Sequence, residues 1–233
     1  MLGTTKPTPT NAPHTYSSTH FVFHHGDLDT PTIAATADAI EAEYERVIAD
    51  LGAGSMPTVH VTFHADHESL QHAVRSVAGP IPSWASGLVI AVDQIHMMSF
   101  GLPSWGPHSQ RATELVHEFA HAVSMRISPN SAKLARWLWE AVALYEAGQF
   151  VDPRSVPYMA SLQPPTILEL NAFDNIRIYD VGYVIAEFIV SRGGQAALRA
   201  LIVNLGDVQS TLGLTLAEFE AGWFAYARSK YNF

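Results

Sequence analysis

The sequence predicts an α+β fold, with a small N-terminal α/β lobe built on a short sheet and a mainly helical C-terminal lobe. Short stretches of strand-like alternation separated by helical periods fill the first hundred residues, and from Ser109 onward the apolar spacing is helical throughout. No internal repeat and no linker long enough to separate independent domains interrupts the chain, so residues 19–233 read as one domain behind a Thr- and Pro-rich flexible arm, residues 1–18.

The first strand candidate is HFVFHH, His20 to His25. A helix follows from about Thr32 to Leu51, because Ile33, Ala37, Ile40, Tyr44, Val47 and Leu51 recur at helical spacing, and Gly52 and Gly54 close it. The second strand, Thr58 to His64, alternates Val59, Val61 and Phe63 against His60, Thr62 and His64. A short helix near Glu68 to Val77 comes next, then the break Gly79-Pro80-Ile81-Pro82 and a third strand, ASGLVIAVD, ending at Asp93. A Gly-, Pro- and Ser-rich loop leads from there to Gln110. Helices are expected at about 109–127, 132–147, 179–192, 195–205 and 215–230, the last opened by a capping box of Thr215 and Glu218.

Composition narrows the possible partners. The chain has 233 residues, 48% hydrophobic and 15% charged, enough to bury a core without staples. A formal charge of -9 argues against nucleic acid, whose binding needs clustered Lys and Arg. There is no run of 18 apolar residues, so no membrane span is expected, and the stretch Leu88 to Val92 suits a buried strand. Without cysteine, any metal must be held by His and carboxylate oxygen. The first twenty residues lack the apolar core of a signal peptide; a secreted chain stripped of its leader would begin the same way, and an extracytoplasmic or secreted bacterial location is the expectation.

The chemistry gathers in ELVHEFAH. His117 and His121 stand four residues apart, so on a helix both imidazoles project from one face and can meet one ion. Glu118 lies one step round, where a carboxylate can take a proton from water at that ion without becoming a ligand. Chance alone would produce this motif in such a composition with a probability of about 0.03. The helix around it is apolar, with Leu115, Val116, Phe119, Ala120 and Val123, as a rigid site requires. A catalytic zinc takes three protein ligands and leaves one position open. Glu140, in WLWEAVALYEAG, is the candidate third ligand, on a helix reached through the turn Ser128-Pro129-Asn130-Ser131.

HExxH, eighteen residues, then Glu resembles the gluzincin metallopeptidases, which include the aminopeptidase N-like enzymes. WLWEAVALYEAG resembles the W-L-x-E-G-L-A-x-Y segment of small bacterial peptidase MA-like domains, and YDVGYVIAEFIVSRGG resembles their next helix, so the resemblance covers His20 to the C-terminus. It implies a thermolysin-like catalytic domain with one zinc ion per chain between the lobes, held by His117, His121 and Glu140, and hydrolysis of a peptide or protein substrate with Glu118 as general base. Tyr179, matching the Tyr-x-x-Gly segment of the aminopeptidase-like members, would donate to the oxyanion, with Tyr183 as its rival.

Two departures from the family pattern stand out. Ala141 replaces a usual Gly, a small-for-small change. The Gly-x-Met-Glu-Asn segment that binds a substrate's free amine is missing, and between Glu68 and Glu114 the only acid is Asp93. Both facts favour endopeptidase over aminopeptidase action. By the same resemblance the strand ASGLVIAVD would lie beside the cleft and pair with an extended peptide. A zinc-binding module with little turnover and a closed structural zinc site are the alternatives.

Other residues carry blander expectations. His60, His64 and His67 read as surface histidines, and His24 and His25, adjacent on a strand, point to opposite faces. Trp137 and Trp139 read as core, and Glu114 either supports a ligand imidazole or is a solvated helix charge. Glu146, Glu169 and Asp174 carry no assigned role.

Overall fold

The structure, a computed structural model, describes residues 12–101 and 108–233, with the side chains of residues 108–111 left aside. Residues 1–11 of the expected arm and 102–107 of the expected loop lie outside the described residues. The chain divides into two compact units, Met1–Tyr44 with Met56–Glu118, and Glu45–Ser55 with Phe119–Phe233.

The first unit is built on a five-stranded mixed sheet. Its strands are β1 (His14–Ser17), β2 (Phe21–His25), β3 (Val59–His64), β4 (Gly87–Ala91) and β5 (Gln94–Met98), in the order β1-β2-β3-β5-β4. β2, β3 and β5 run parallel, while β1 and β4 join the two edges antiparallel. Helix α1 (Ile33–Leu51) makes the crossover from β2 to β3, and α2 (His67–Ala78) leaves the end of β3 and packs on β3, β4 and β5.

One sheet face is core. Phe21, Phe23, Val59, Val61, Ile95 and Met97 are fully buried there, each worth about 1.5–3 kcal/mol relative to exposure. Phe23 stacks on Phe63 and the edge of Tyr44 meets Phe21. All six residues whose spacing predicts α1 are buried, Ile33 through Leu51. Gly52 ends that helix at φ 62°, letting Ala53 N–H reach the Ile48 carbonyl at 3.1 Å and Gly52 N–H the Ala49 carbonyl at 3.2 Å.

Two strands depart from the sequence expectation. β1 falls inside the segment expected to be a flexible arm: His14 to Ser17 pair with Val22 to His25 and gain a ladder that composition does not show. β5 falls where a loop was expected, and it is the strand between β3 and β4. The turn joining it to β4 is only Val92-Asp93, without the Asn-Gly or Asp-Gly signature of tight hairpins, and a register shift between Val89 and Ala91 accommodates it.

The second unit is helical. After α3 (His108–Ile127), which contributes to both units, a 3₁₀ turn at Ser131–Lys133 leads into α4 (Arg136–Glu146). Then come α5 (Pro157–Ala160), α6 (Ile167–Leu170), α7 (Ile178–Val203), α8 (Val208–Leu212) and α9 (Leu216–Tyr231). α7 is the two expected helices in one, bent where Gly193 and Gly194 leave helical backbone angles. The expected capping box opens α9, with Thr215 N–H on Glu218 Oε2 at 2.8 Å and Glu218 N–H on Thr215 Oγ1 at 3.2 Å. α4 lies close against α7: a Cβ on Gly182 would stand 2.6 Å from Leu144 Cδ1 and 3.2 Å from Ala141 Cα. Position 141 therefore needs a small residue, which Ala supplies.

Glu146, given no role from sequence, ends α4 with its side chain wholly buried. Arg46 Nη1 donates to Glu146 Oε2 at 2.8 Å, and its Nη2 donates to the Glu146 carbonyl. Stripping a partner from a buried pair costs about 3–5 kcal/mol. Because 41% of the Arg46 side chain stays in water, Arg46→Ala is expected to lower the unfolding free energy by about 2 kcal/mol. Urea denaturation checks this, and a loss below about 0.5 kcal/mol would show that the pair contributes little.

Candidate metal centre

Helix α3 buries Leu115, Phe119, Ala120, Ala122 and Val123 completely, and this packing fixes the helix that carries the motif. His117 is 7% exposed, Glu118 7% and His121 5%, so all three polar side chains are held in the interior. α4 buries Trp137, Leu138, Ala141 and Val142, and Glu140 stands on it half-buried. A neutral imidazole or a carboxylate at such depth needs a polar partner.

The structure brings the three expected ligands together. One ligand atom from each of His117, His121 and Glu140 lies within 4.8 Å of the others, and His121 Nε2 is 4.0 Å from Glu140 Oε2. Two ligands of one tetrahedral zinc stand about 3.3–3.5 Å apart, given bonds of about 2.0–2.2 Å, so closing onto an ion requires movements of less than about 1 Å. Two imidazole nitrogens and one carboxylate oxygen form a donor set suited to zinc. Among the described residues no fourth His, Asp or Glu joins the group. The group can therefore hold a metal ion.

The surroundings orient these side chains. Trp139 lies flat on His121, ring centroids 4.1 Å apart and planes within 4°, so it fixes the plane of a candidate ligand imidazole. Its neighbour Trp137 is core, as expected, packed on Phe219. The role of Trp139 was missed because a tryptophan one residue before Glu140 looks the same in sequence whether it packs inward or stacks. Glu114 is not a solvated charge: burial pushes its carboxyl up, and nearby His117 acts in the opposite direction.

Glu118 meets a second feature that sequence reasoning overlooked. A Cβ added to Gly87 would fall 2.7 Å from Glu118 Oε1 and 2.9 Å from its Cδ and Cγ. The carboxylate thus lies directly over the backbone of β4, in space that only glycine leaves. β4 is an edge strand of the sheet, and its five residues are all partly accessible.

Tyr179 sits in the first turn of α7, with the Arg136 guanidinium 5.9 Å from its ring centre. Arg136 also donates to the carbonyls of Leu170, Ala172 and Asn175, pinning the loop that delivers Tyr179. Tyr183, one turn on, packs its ring against Tyr145 and Phe150.

No family model matches the chain, and no curated protein sequence matches it. Among the described residues no helix is long and apolar enough to cross a membrane.

Proposed function

We propose that the chain is a zinc-dependent peptidase of the gluzincin type, cutting internal peptide bonds in preference to removing N-terminal residues. The observation that carries this reading is the group of His117, His121 and Glu140, three candidate ligands without a fourth among the described residues, with Glu118 beside it on the same helix. His117, His121 and Glu140 would hold the ion. Zinc, when bound, lowers the pKa of a water ligand to about 7 and polarises the substrate carbonyl.

The chain's own residues do the rest. Glu118, seated over Gly87, accepts the proton of the attacking water and passes it to the leaving amine. Tyr179 donates its hydroxyl hydrogen bond where negative charge develops on the carbonyl oxygen. The aromatic contacts of Tyr183 favour Tyr179 for this role. The open edge of β4 offers backbone donors and acceptors to an extended peptide, and Gly87 places that edge next to Glu118. With Asp93 the only acid between Glu68 and Glu114, this strand has little to neutralise a substrate's free amine.

The test compares an acetylated peptide with its free-amine twin, before chelation, after it, and after zinc is restored. Cleavage of internal bonds in the blocked peptide, lost on chelation and recovered with zinc, is the expected result. Sequential release from the free-amine peptide alone would make it an aminopeptidase, and stoichiometric zinc without cleavage of either would make it a binding module.

A further inference from the structure

The sheet face opposite the core carries a row of histidines. Register places His24 beside Thr62 and Thr62 beside His96, so His24, His60, Thr62, His64 and His96 all point to one side. The imidazoles form two pairs. His24 Nε2 lies 3.1 Å from His60 Nδ1, with rings 5.4 Å apart and within 7° of parallel. His64 Nε2 lies 2.9 Å from His96 Nδ1. The surface reading holds for His60, which is exposed, and is corrected for His64, which is only 4% accessible; its partner His96 is 5% accessible.

We propose that the outer pair, His24 and His60, is a second metal site, taking one borderline divalent cation (Zn2+, Cu2+ or Ni2+) on two imidazole nitrogens, with water completing its coordination. Adjacent ligands on an ion with bonds of about 2.0–2.1 Å stand about 2.9–3.4 Å apart, and the 3.1 Å separation falls in that range. In the pair as it stands, one facing nitrogen carries the hydrogen and the other accepts it. Moving that hydrogen to the far nitrogen of its own ring frees both lone pairs with each imidazole still neutral, and small ring rotations then turn them toward one point off the line between the nitrogens. Imidazole selects zinc, copper and nickel over magnesium and calcium, which require oxygen ligands.

The inner pair is buried away from the water that would complete such an ion's coordination. Burial, and then His96, lowers His64 to about 4, and burial, and then His24, lowers His96 to about 4. Burial also lowers His24, with His60 and His25 adding to the effect. Asp66 acts on His64 and in the opposite direction. This site is independent of the peptidase reading.

Equilibrium dialysis of the chelated, full-length chain against Zn2+, followed by elemental analysis, tests it. The parent chain is expected to hold one ion more than His24→Gln/His60→Gln. A chain with His117→Ala and His121→Ala is expected to keep one ion, and with Cu2+ its electron paramagnetic spectrum should show nitrogen couplings that His60→Gln removes. His60 is exposed, so that variant should leave thermal unfolding unchanged. Equal zinc in the parent and the His24/His60 variant would overturn the proposal. So would nitrogen couplings that survive His60→Gln.

Discussion

Glu118→Gln is expected to leave zinc content at one ion per chain in the HExxH group and to lower kcat by about 10²–10⁴. Gln fills the same space over Gly87 but cannot accept a proton, so the substitution separates the group's proton chemistry from its shape. Glu118 is also 7% exposed, and Gln keeps its size and much of its hydrogen-bonding capacity, so the variant should fold as the parent does. Elemental analysis, thermal unfolding and initial rates on the blocked peptide form the measurement. Full activity would remove Glu118 from the mechanism. Loss of the ion would mean that the carboxylate supports the metal rather than the proton.

The candidate metal group was legible because its geometry is local. Two histidines four residues apart on one helix face need only that the helix form, and an eighteen-residue spacing leaves room for one turn and half of a second helix. The residues that tune the site were not legible. Trp139 stacks on His121 across seventeen intervening residues, and Gly87 lies under Glu118 from a strand thirty-one residues earlier. Nothing at positions 87 or 139 distinguishes these contacts from ordinary packing. The sheet shows the same division. β2, β3 and α1 announce themselves by alternation or helical period, whereas β1 and β5 depend on the neighbours that pair with them. Likewise His64 and His96, thirty-two residues apart, become a buried pair only when β3 and β5 align.

Gly87→Ala is expected to lower kcat by about 10² while leaving zinc content and folding nearly unchanged. The new methyl would stand 2.7 Å from Glu118 Oε1, closer than real contacts allow, and the strand backbone is held in the β4–β5 ladder. The flexible carboxylate must therefore give way, by about 1 Å, a misplacement that can cost about 10²-fold in rate. Because a side chain yields rather than backbone, the cost in stability stays within about 1 kcal/mol. The decisive measurement is the double variant. If Gly87 acts only by seating Glu118, then Gly87→Ala has no further effect once Glu118 is Gln, and the two rate losses do not add. An additive loss would give β4 a role of its own, in holding the peptide. Unchanged activity in the single variant would show that Glu118 does its work from a different position.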